Sequence, residues 1–263
     1  MYKVVVSDLD GTLLDSNHTL SQQTISTVHR IVNEGIRFII ATGRHYQDVK
    51  HIAKNLGLDL FLITCNGARI HNKQGQPIFR QDIPQHIVQS LLEMAPKETL
   101  LNIYKEDQWL VSKPNKTLLN FNKSSGFNYS LADLFSIDHK NVAKVFFAGK
   151  PEPLVELENK INEQFADLVS AAFSLPNCLE VMAKGVNKGQ ALQQVLKEKG
   201  FSLDQTVAFG DGMNDYEMLS QVGMPVVMAN AHDRLRHSLS HYEKTLSSDN
   251  HGVAYKLEEI FPA

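Results

Sequence analysis

Blocks of hydrophobic and polar positions along this chain of 263 residues predict strands and helices in turn. The first block, 4–6, is apolar and β-branched throughout, which is typical of a strand buried on both faces of a parallel sheet. The strand-helix-strand order that follows implies right-handed parallel crossovers, so the carboxyl ends of the strands meet at one edge. The first predicted helix is capped by Ser21 and ends at Gly35, and its apolar positions are Ile25, Val28, Ile31 and Val32. A strand at 36–41, a helix at 45–56 and a strand at 60–64 are predicted to follow.

The pattern changes after the third strand. Residues 68–79 predict a hairpin, and from about Ile83 the strict alternation of strand and helix stops. Two units of helix plus hairpin follow, including a helix that begins near Pro114, and the alternation returns at Val186. We therefore predict an α/β fold: a doubly wound, Rossmann-like parallel-sheet core of residues 1–82 and 186–263, with an inserted α+β domain at 83–185.

Composition describes an ordinary globular protein, with 43% hydrophobic and 21% charged residues. A net charge of -3 and a pI of about 6.4 give no support to a nucleic-acid or polybasic membrane partner. The two cysteines, Cys65 and Cys178, lie far apart, and we expect both to be reduced. Asp8 interrupts the apolar start before a signal sequence could form, and no apolar run reaches the roughly 18 residues of a membrane helix. We expect a cytoplasmic protein.

Two carboxylates follow the first strand. Asp8 and Asp10 stand two residues apart, so in extended backbone they share a face, and at about 4 Å they would repel by roughly 4 kcal/mol. Such a pair needs a proton or a cation; Gly11 allows a tight turn, and the Thr12 hydroxyl can hold one of the two carboxylates. An EF-hand calcium loop does not fit, because its glycine is the sixth residue and Gly11 is the fourth from Asp8. A turn with two solvated aspartates is the alternative.

Four segments together carry a resemblance to a known family. DLDGT at 8–12, Thr42 after an apolar strand, Lys188 at the start of a helix and GDGMND at 210–215 resemble, in order and spacing, the four motifs of the haloacid dehalogenase superfamily of phosphatases. The insert resembles the type IIB cap of the Cof-like branch. ATGR at 41–44, NGA at 66–68 and LEVMAKGVNKG at 179–189 strengthen the resemblance, which spans essentially the whole chain. Within the branch it is most similar to bacterial sugar phosphatases and pyridoxal phosphate phosphatases.

The resemblance implies a Mg²⁺ site and a covalent mechanism. Asp8, the backbone carbonyl of Asp10 and Asp211 would bind the metal, with Asp215 bound directly or through water. Asp8 would attack phosphorus to give an aspartyl-phosphate, and Asp10 would protonate the leaving alkoxide and then activate water. The groups that would hold phosphoryl oxygens are the Thr42 and Asn214 side chains, the backbone N–H groups of Leu9 and Gly43, and Lys188.

The expected function is Mg²⁺-dependent hydrolysis of a small phosphorylated metabolite by a monomer or weak homo-oligomer. The insert would act as a lid that selects the leaving group, and possible substrate contacts are Arg44, Asn66 and Glu180. Three other functions stay open: a phosphomutase, a phospho-receiver signalling module and a non-catalytic metabolite-binding protein.

Each assigned residue also has a structural interpretation. Lys188 could be a surface lysine, Thr42 a helix cap, and Glu180 a solvated strand residue. Asn214 and Asp215 could be polar residues of a first helical turn. An aromatic group in the insert is interpreted as hydrophobic core rather than as a substrate platform; its members are Tyr104, Trp109 and Phe121.

Overall fold

The computed structural model describes residues 1–57, 60–116, 118 and 125–262, and it contains two β-sheets. The first has eight strands: six neighbouring strands from one edge are parallel, and the last two pair antiparallel. In order across the sheet these strands are β14 (Glu243–Lys244), β13 (Met224–Val227), β12 (Thr206–Gly210), β1 (Val4–Ser7), β2 (Arg37–Ala41), β3 (Phe61–Thr64), β4 (Arg69–His71) and β5 (Pro77–Arg80).

Helices alternate with the parallel strands, as the hydrophobic pattern predicts. Ser21 caps the first helix by accepting a hydrogen bond from the Thr24 N–H, and the chain leaves that helix through Gly35 at φ +96°. All four residues of β1 are buried, which confirms a central strand covered on both faces. The helices that accompany this sheet are α1 (Gln22–Asn33), α2 (Tyr46–Asn55), α5 (Lys188–Lys199), α6 (Tyr216–Leu219), α7 (Asp233–Ser238) and α8 (Gly252–Ile260).

The second sheet is built from the middle of the chain and has its own hydrophobic core. Its strands pair antiparallel except for β7 and β8, and helices α3 (Gln85–Glu93) and α4 (Pro151–Phe165) pack against it. The strand order is β10 (Val169–Leu175), β11 (Cys178–Ala183), β9 (Val142–Ala148), β6 (Leu100–Lys105), β7 (Gln108–Val111) and β8 (Ser130–Leu131).

The elements predicted between residues 4 and 79 agree with the observed ones to within one or two residues. The two-residue strands β8 and β14 were not predicted, because a segment this short has no measurable period. Tyr104 and Trp109 are buried in a core cluster, with Phe127 packed against them. Phe121 and most of the helix expected from Pro114 fall on residues 117 and 119–124, outside the described residues.

No helix in the described part of the chain combines the length and the hydropathy needed to cross a bilayer. Cys65 and Cys178 are both free, in agreement with the expectation from their spacing.

Candidate active site

Two adjacent strands place the acidic residues next to each other. Strand β1 pairs in parallel with β12, with Ser7 opposite Phe209, and the Asp8 N–H donates to the Phe209 carbonyl at 3.1 Å. Asp8 therefore leaves the sheet beside the loop that carries Asp211 and Asp215. Leu9, between the two predicted acids, turns its side chain into the core and is fully buried. Open α/β folds bind ligands beyond the carboxyl ends of such parallel strands.

Lys188 joins two of these carboxylates at the start of α5. Its Nζ donates to Asp8 Oδ1 at 2.5 Å and to Asp215 Oδ1 at 2.7 Å, and its side chain has no exposure to solvent. The other oxygen of Asp215 accepts the backbone N–H groups of Asp211 and Gly212, each at 3.0 Å. Lys188 is thus a buried ion-pair residue and not a surface lysine.

The site holds more negative charge than Lys188 can balance. Ligand oxygens of Asp8, Asp211 and Asp215 lie within 4.8 Å of one another. Burial, together with the charge of Asp215, raises the pKa of Asp8 to about 7 despite the opposing effect of Lys188. Burial and the charges of Asp8 and Asp215 also raise the pKa of Asp211 well above its usual value. Hard divalent cations such as Mg²⁺ prefer oxygen ligands, so this all-carboxylate set fits such a cation.

Thr12 holds a different carboxylate from the one the sequence suggested. Its hydroxyl donates to Asp211 Oδ1 at 3.0 Å, rather than to Asp8 or Asp10. Gly11, at φ +72°, packs directly against the Asp211 carboxylate, and a Cβ there would collide with it. The first loop therefore fixes the position of the acid from the last motif, a contact between residues about 200 positions apart that local sequence cannot indicate.

Asp10 lies apart from this group and is tied to Arg44. Arg44 Nε donates to Asp10 Oδ2 at 2.7 Å, its Nη2 also binds Asp10 Oδ1, and His18 Nδ1 lies 3.1 Å from the same oxygen. Burial alone would raise the pKa of Asp10, but the hydrogen bonds of His18 and Arg44 and the Arg44 charge outweigh burial and lower it to about 2. As held here, Asp10 is an ionised base, and it must leave Arg44 before it can carry a proton.

Arg44 itself is fixed on both sides. Its Nη1 lies 3.2 Å from Asp48 Oδ2, and Asp48 Oδ1 accepts from the Ser125 hydroxyl at 2.5 Å. Burial raises the pKa of Asp48, and the Arg44 charge opposes this rise. From the sequence, Arg44 could be a substrate contact or a structural ion-pair residue, and the structure shows it in ion pairs with Asp10 and Asp48. His18, Asp48 and Ser125 were not found from the sequence, although Arg44 and Asp48 are four residues apart, a spacing common in ion pairs.

Polar residues from both sheets meet at the ends of β2 and β3. Thr42 does not cap α2, a role that His45 fills; instead its hydroxyl accepts from the Arg44 N–H at 3.1 Å. Asn214 Nδ2 donates to Asn66 Oδ1 at 3.0 Å, and Asn66 in turn binds Glu180. Glu180 is buried rather than solvated.

Lys144 is a further functional candidate that the sequence did not indicate. It is 2% exposed, and its Nζ donates to Glu180 Oε1 at 2.9 Å and to the Gly43 carbonyl at 2.7 Å. A signal was available, because a lysine within the otherwise apolar segment VAKVFFA is rarely buried without a partner.

Comparison with known proteins decides the family. Residues 5–257 match the family of haloacid dehalogenase-like hydrolases. The chain belongs to this family. Among solved structures, a haloacid dehalogenase-like hydrolase from Bacteroides thetaiotaomicron superposes with a TM-score of 0.84 at 27% identity, covering 99% of this chain and 100% of that one. A HAD subclass IIB sugar phosphatase shares the fold, with a TM-score of 0.85 at 23% identity and 98% coverage of both chains.

Relatives of this hydrolase carry phosphatase names. A protein of Buchnera aphidicola with phosphatase in its name is 39% identical over 264 residues and covers 99% of both chains. A protein of Enterobacter sp. named HMP-PP phosphatase is 36% identical over 258 residues, covering 98% of this chain and 95% of its own. The shared family and these names support a phosphatase enzyme, rather than a receiver module or a metabolite-binding protein without activity.

Proposed function

We propose that this hydrolase is a Mg²⁺-dependent phosphatase that acts on small phosphorylated metabolites through an aspartyl-phosphate on Asp8. One observation carries the proposal: three carboxylates, those of Asp8 and Asp215 buried, converge with the buried ammonium of Lys188 at the sheet edge. Clustered buried charges contribute little to stability, and this cluster is typical of a site that binds a cation and a phosphoryl group.

Asp8, Asp211 and the Asp10 carbonyl would hold the cation, with Asp215 beside them. A bound Mg²⁺ would neutralise charge on the phosphoryl oxygens and on the carboxylates. Lys188 supplies the remaining positive charge and fixes the direction of the Asp8 carboxylate. The Thr12 hydroxyl orients the Asp211 carboxylate, and two backbone N–H groups that donate to Asp215 orient its carboxylate. These carboxylates therefore keep their geometry without rearrangement during the reaction.

In the first step, an oxygen of Asp8 forms a bond to phosphorus as the bond to the leaving alkoxide breaks. In the second step, water attacks the same phosphorus and releases Asp8, and Asp10 accepts the proton of that water. The low pKa of Asp10 beside Arg44 keeps its carboxylate ionised, and Asp10 must leave Arg44 before it accepts the proton in this second step. Proton donation to the leaving group requires Asp10 to leave Arg44 and meet the substrate.

The residues of the inserted segment, 83–185, would form a cap over this site. Strand β10 lies against the 213–215 turn, and Lys144 and Glu180 contact Gly43 and Asn66, which follow β2 and β3. A cap in this position would exclude water and contact the leaving group. The name HMP-PP phosphatase of several relatives makes HMP-PP a candidate substrate, beside sugar phosphates and pyridoxal phosphate.

A hydrolysis screen tests this function. Phosphate release from HMP-PP, a set of sugar phosphates, pyridoxal phosphate and nucleotides would be ranked by kcat/KM, with Mg²⁺ and with EDTA. We expect Mg²⁺-dependent hydrolysis of at least one ester. Phosphate moved between positions of a retained sugar, with no net release, would point to a phosphomutase instead.

The stability of the folded protein without metal should fall as the pH rises towards the range in which its buried carboxyl groups lose their protons. Because the folded pKa of Asp8 is about 7, the folded protein without metal holds a proton that the unfolded chain releases, so stability falls as pH rises from about 4 to 7. The slope is up to about 1.4 kcal/mol per pH unit for each such group. Asp10, with a pKa of about 2, titrates below this window and does not offset it. Asp211 contributes with the same sign as Asp8.

We therefore expect Mg²⁺ to raise the melting temperature more at about pH 8 than at about pH 5, each compared with EDTA at the same pH. Sodium chloride at matched ionic strength is the control for general screening. An equal Mg²⁺ effect at both values would mean that these carboxyls do not share the ion.

A further inference from the structure

A series of buried polar contacts joins the second sheet to the segments that follow β2 and β3. Lys144 on β9 and Glu180 on the neighbouring strand β11 form an ion pair, with the Lys144 side chain 3% and the Glu180 side chain 8% exposed. The Lys144 ammonium also lies 4.8 Å from the ring centres of Tyr104 and Phe146. Aromatic faces and a carboxylate around one ammonium hold it in a single place.

Both partners of this ion pair also bind the segments that follow β2 and β3. Lys144 Nζ donates to the Gly43 carbonyl at 2.7 Å, and Glu180 Oε2 accepts from Asn66 Nδ2. The series continues from Asn66 Oδ1 to Asn214 Nδ2 at 3.0 Å. Gly43 packs against both acceptor groups, since a Cβ there would lie 3.0 Å from Asn66 Oδ1 and 3.3 Å from Glu180 Oε2.

The backbone at Asn66 is shaped for this contact. Cys65 and Asn66 both adopt left-handed conformations, at φ +50° and +54°, and Gly67 follows at φ +104°. Left-handed backbone is unfavourable for cysteine, and such conformations persist where surrounding contacts determine them. The turn aims the Asn66 side chain at Glu180 and Asn214 together.

These side chains are already satisfied by the protein. Each oxygen of Glu180 accepts a protein N–H, from Lys144 and from Asn66, so a substrate group would have to displace one of them. The contacts lead instead to Gly43 and Asn214, which the family resemblance assigns to the binding of phosphoryl oxygens.

We propose that Lys144, Glu180 and Asn66 are positioning residues through which the second sheet holds Gly43 and Asn214 in place for the phosphoryl group. The proposal rests on the proposed function. It revises the expectation that Asn66 and Glu180 contact the substrate themselves. Since the phosphoryl group is common to all substrates, the three residues should affect every ester alike, whatever its leaving group.

Three variants interrupt this series of polar contacts at different points. Asn66→Gly removes the side chain while keeping a residue that tolerates the left-handed backbone. Lys144→Met removes the ammonium, and Lys144→Met/Glu180→Gln does so without leaving a buried charge unpaired, which keeps the test possible if the single variant does not fold. Lys256→Met is the matched control, since Lys256 is also buried and paired with Glu243, away from these contacts.

Two measurements separate positioning from substrate contact. The first is kcat and KM for three monoesters with different leaving groups; the second is the affinity for inorganic phosphate by calorimetry with Mg²⁺, which needs no turnover. We expect kcat/KM to fall by about 10–100-fold, equally for the three esters, with a weaker phosphate affinity and with no change in Lys256→Met.

A loss that differs between esters, with phosphate affinity unchanged, would overturn the inference and leave the proposed function standing. Unchanged kinetics and phosphate affinity in all three variants would do the same. A wild-type protein that neither binds phosphate nor hydrolyses an ester would instead remove the proposed function, and this inference with it.

Discussion

Asp8→Asn yields a folded protein that has lost turnover, because an amide of the same shape cannot attack phosphorus. We expect kcat to fall by about 10⁴-fold or more, as is usual when a nucleophile that acts as part of a unit is removed. The same substitution should raise the melting temperature in EDTA, because it removes one of three clustered carboxylates that repel one another. Steady-state kinetics and thermal unfolding measure the two effects.

Asp82→Asn is the matched control for this variant. Asp82 pairs with the buried Arg69, away from the acidic group, so its amide should keep turnover and lose some stability. Asp8→Asn should therefore lose turnover and gain stability, whereas Asp82→Asn should keep turnover and lose some stability. Turnover retained in Asp8→Asn would show that another group attacks the phosphoryl centre.

Lys188→Met has the second-largest expected effect, and it acts on both stability and catalysis. The ammonium is fully buried, and although burial alone would lower its pKa, the charges of Asp215 and Asp8 raise it above its usual value. Its removal leaves the carboxylates uncompensated, which should cost about 3–5 kcal/mol of unfolding free energy in EDTA. The loss of a buried positive charge beside the phosphoryl group should lower kcat by about 10³-fold.

Denaturant unfolding in EDTA and in Mg²⁺ separates these contributions. Added Mg²⁺ should restore part of the stability of Lys188→Met, since a cation replaces the missing charge, but should not restore its turnover. Lys256→Met serves again as the control for loss of a buried lysine. Equal stability losses in the two lysine variants, with unchanged kinetics, would contradict the assigned position of Lys188.

The sequence predicts those features of the fold that have a local signal. The alternation of strands and helices, the change of pattern after β3 and the four motif segments each depend on residues close together in the chain. The parallel crossovers then bring Asp8 and Asp211 to one edge, because topology rules leave few other arrangements. Lys188 needed the family resemblance, since only its place after Gly185, where the core pattern returns, separates it from a surface lysine.

The contacts that were missed join distant positions. The Thr12 hydroxyl meets Asp211 and not its neighbours in sequence, and Asp10 binds Arg44, which lowers its pKa. Lys144 reaches Gly43 across the two sheets. Such pairings depend on how the sheets sit against each other and on side-chain direction, which hydrophobic periodicity does not specify.

Trapping the covalent intermediate tests the central claim most directly. The protein would be mixed with Mg²⁺ and the best substrate of the screen, quenched during turnover and reduced with borohydride, which converts an aspartyl-phosphate to homoserine. Peptide mass spectrometry then locates the change. We predict homoserine at position 8 and an unaltered side chain at Asp10, Asp211 and Asp215; a modified residue at any other position, or active turnover with no trapped residue at all, would contradict the account.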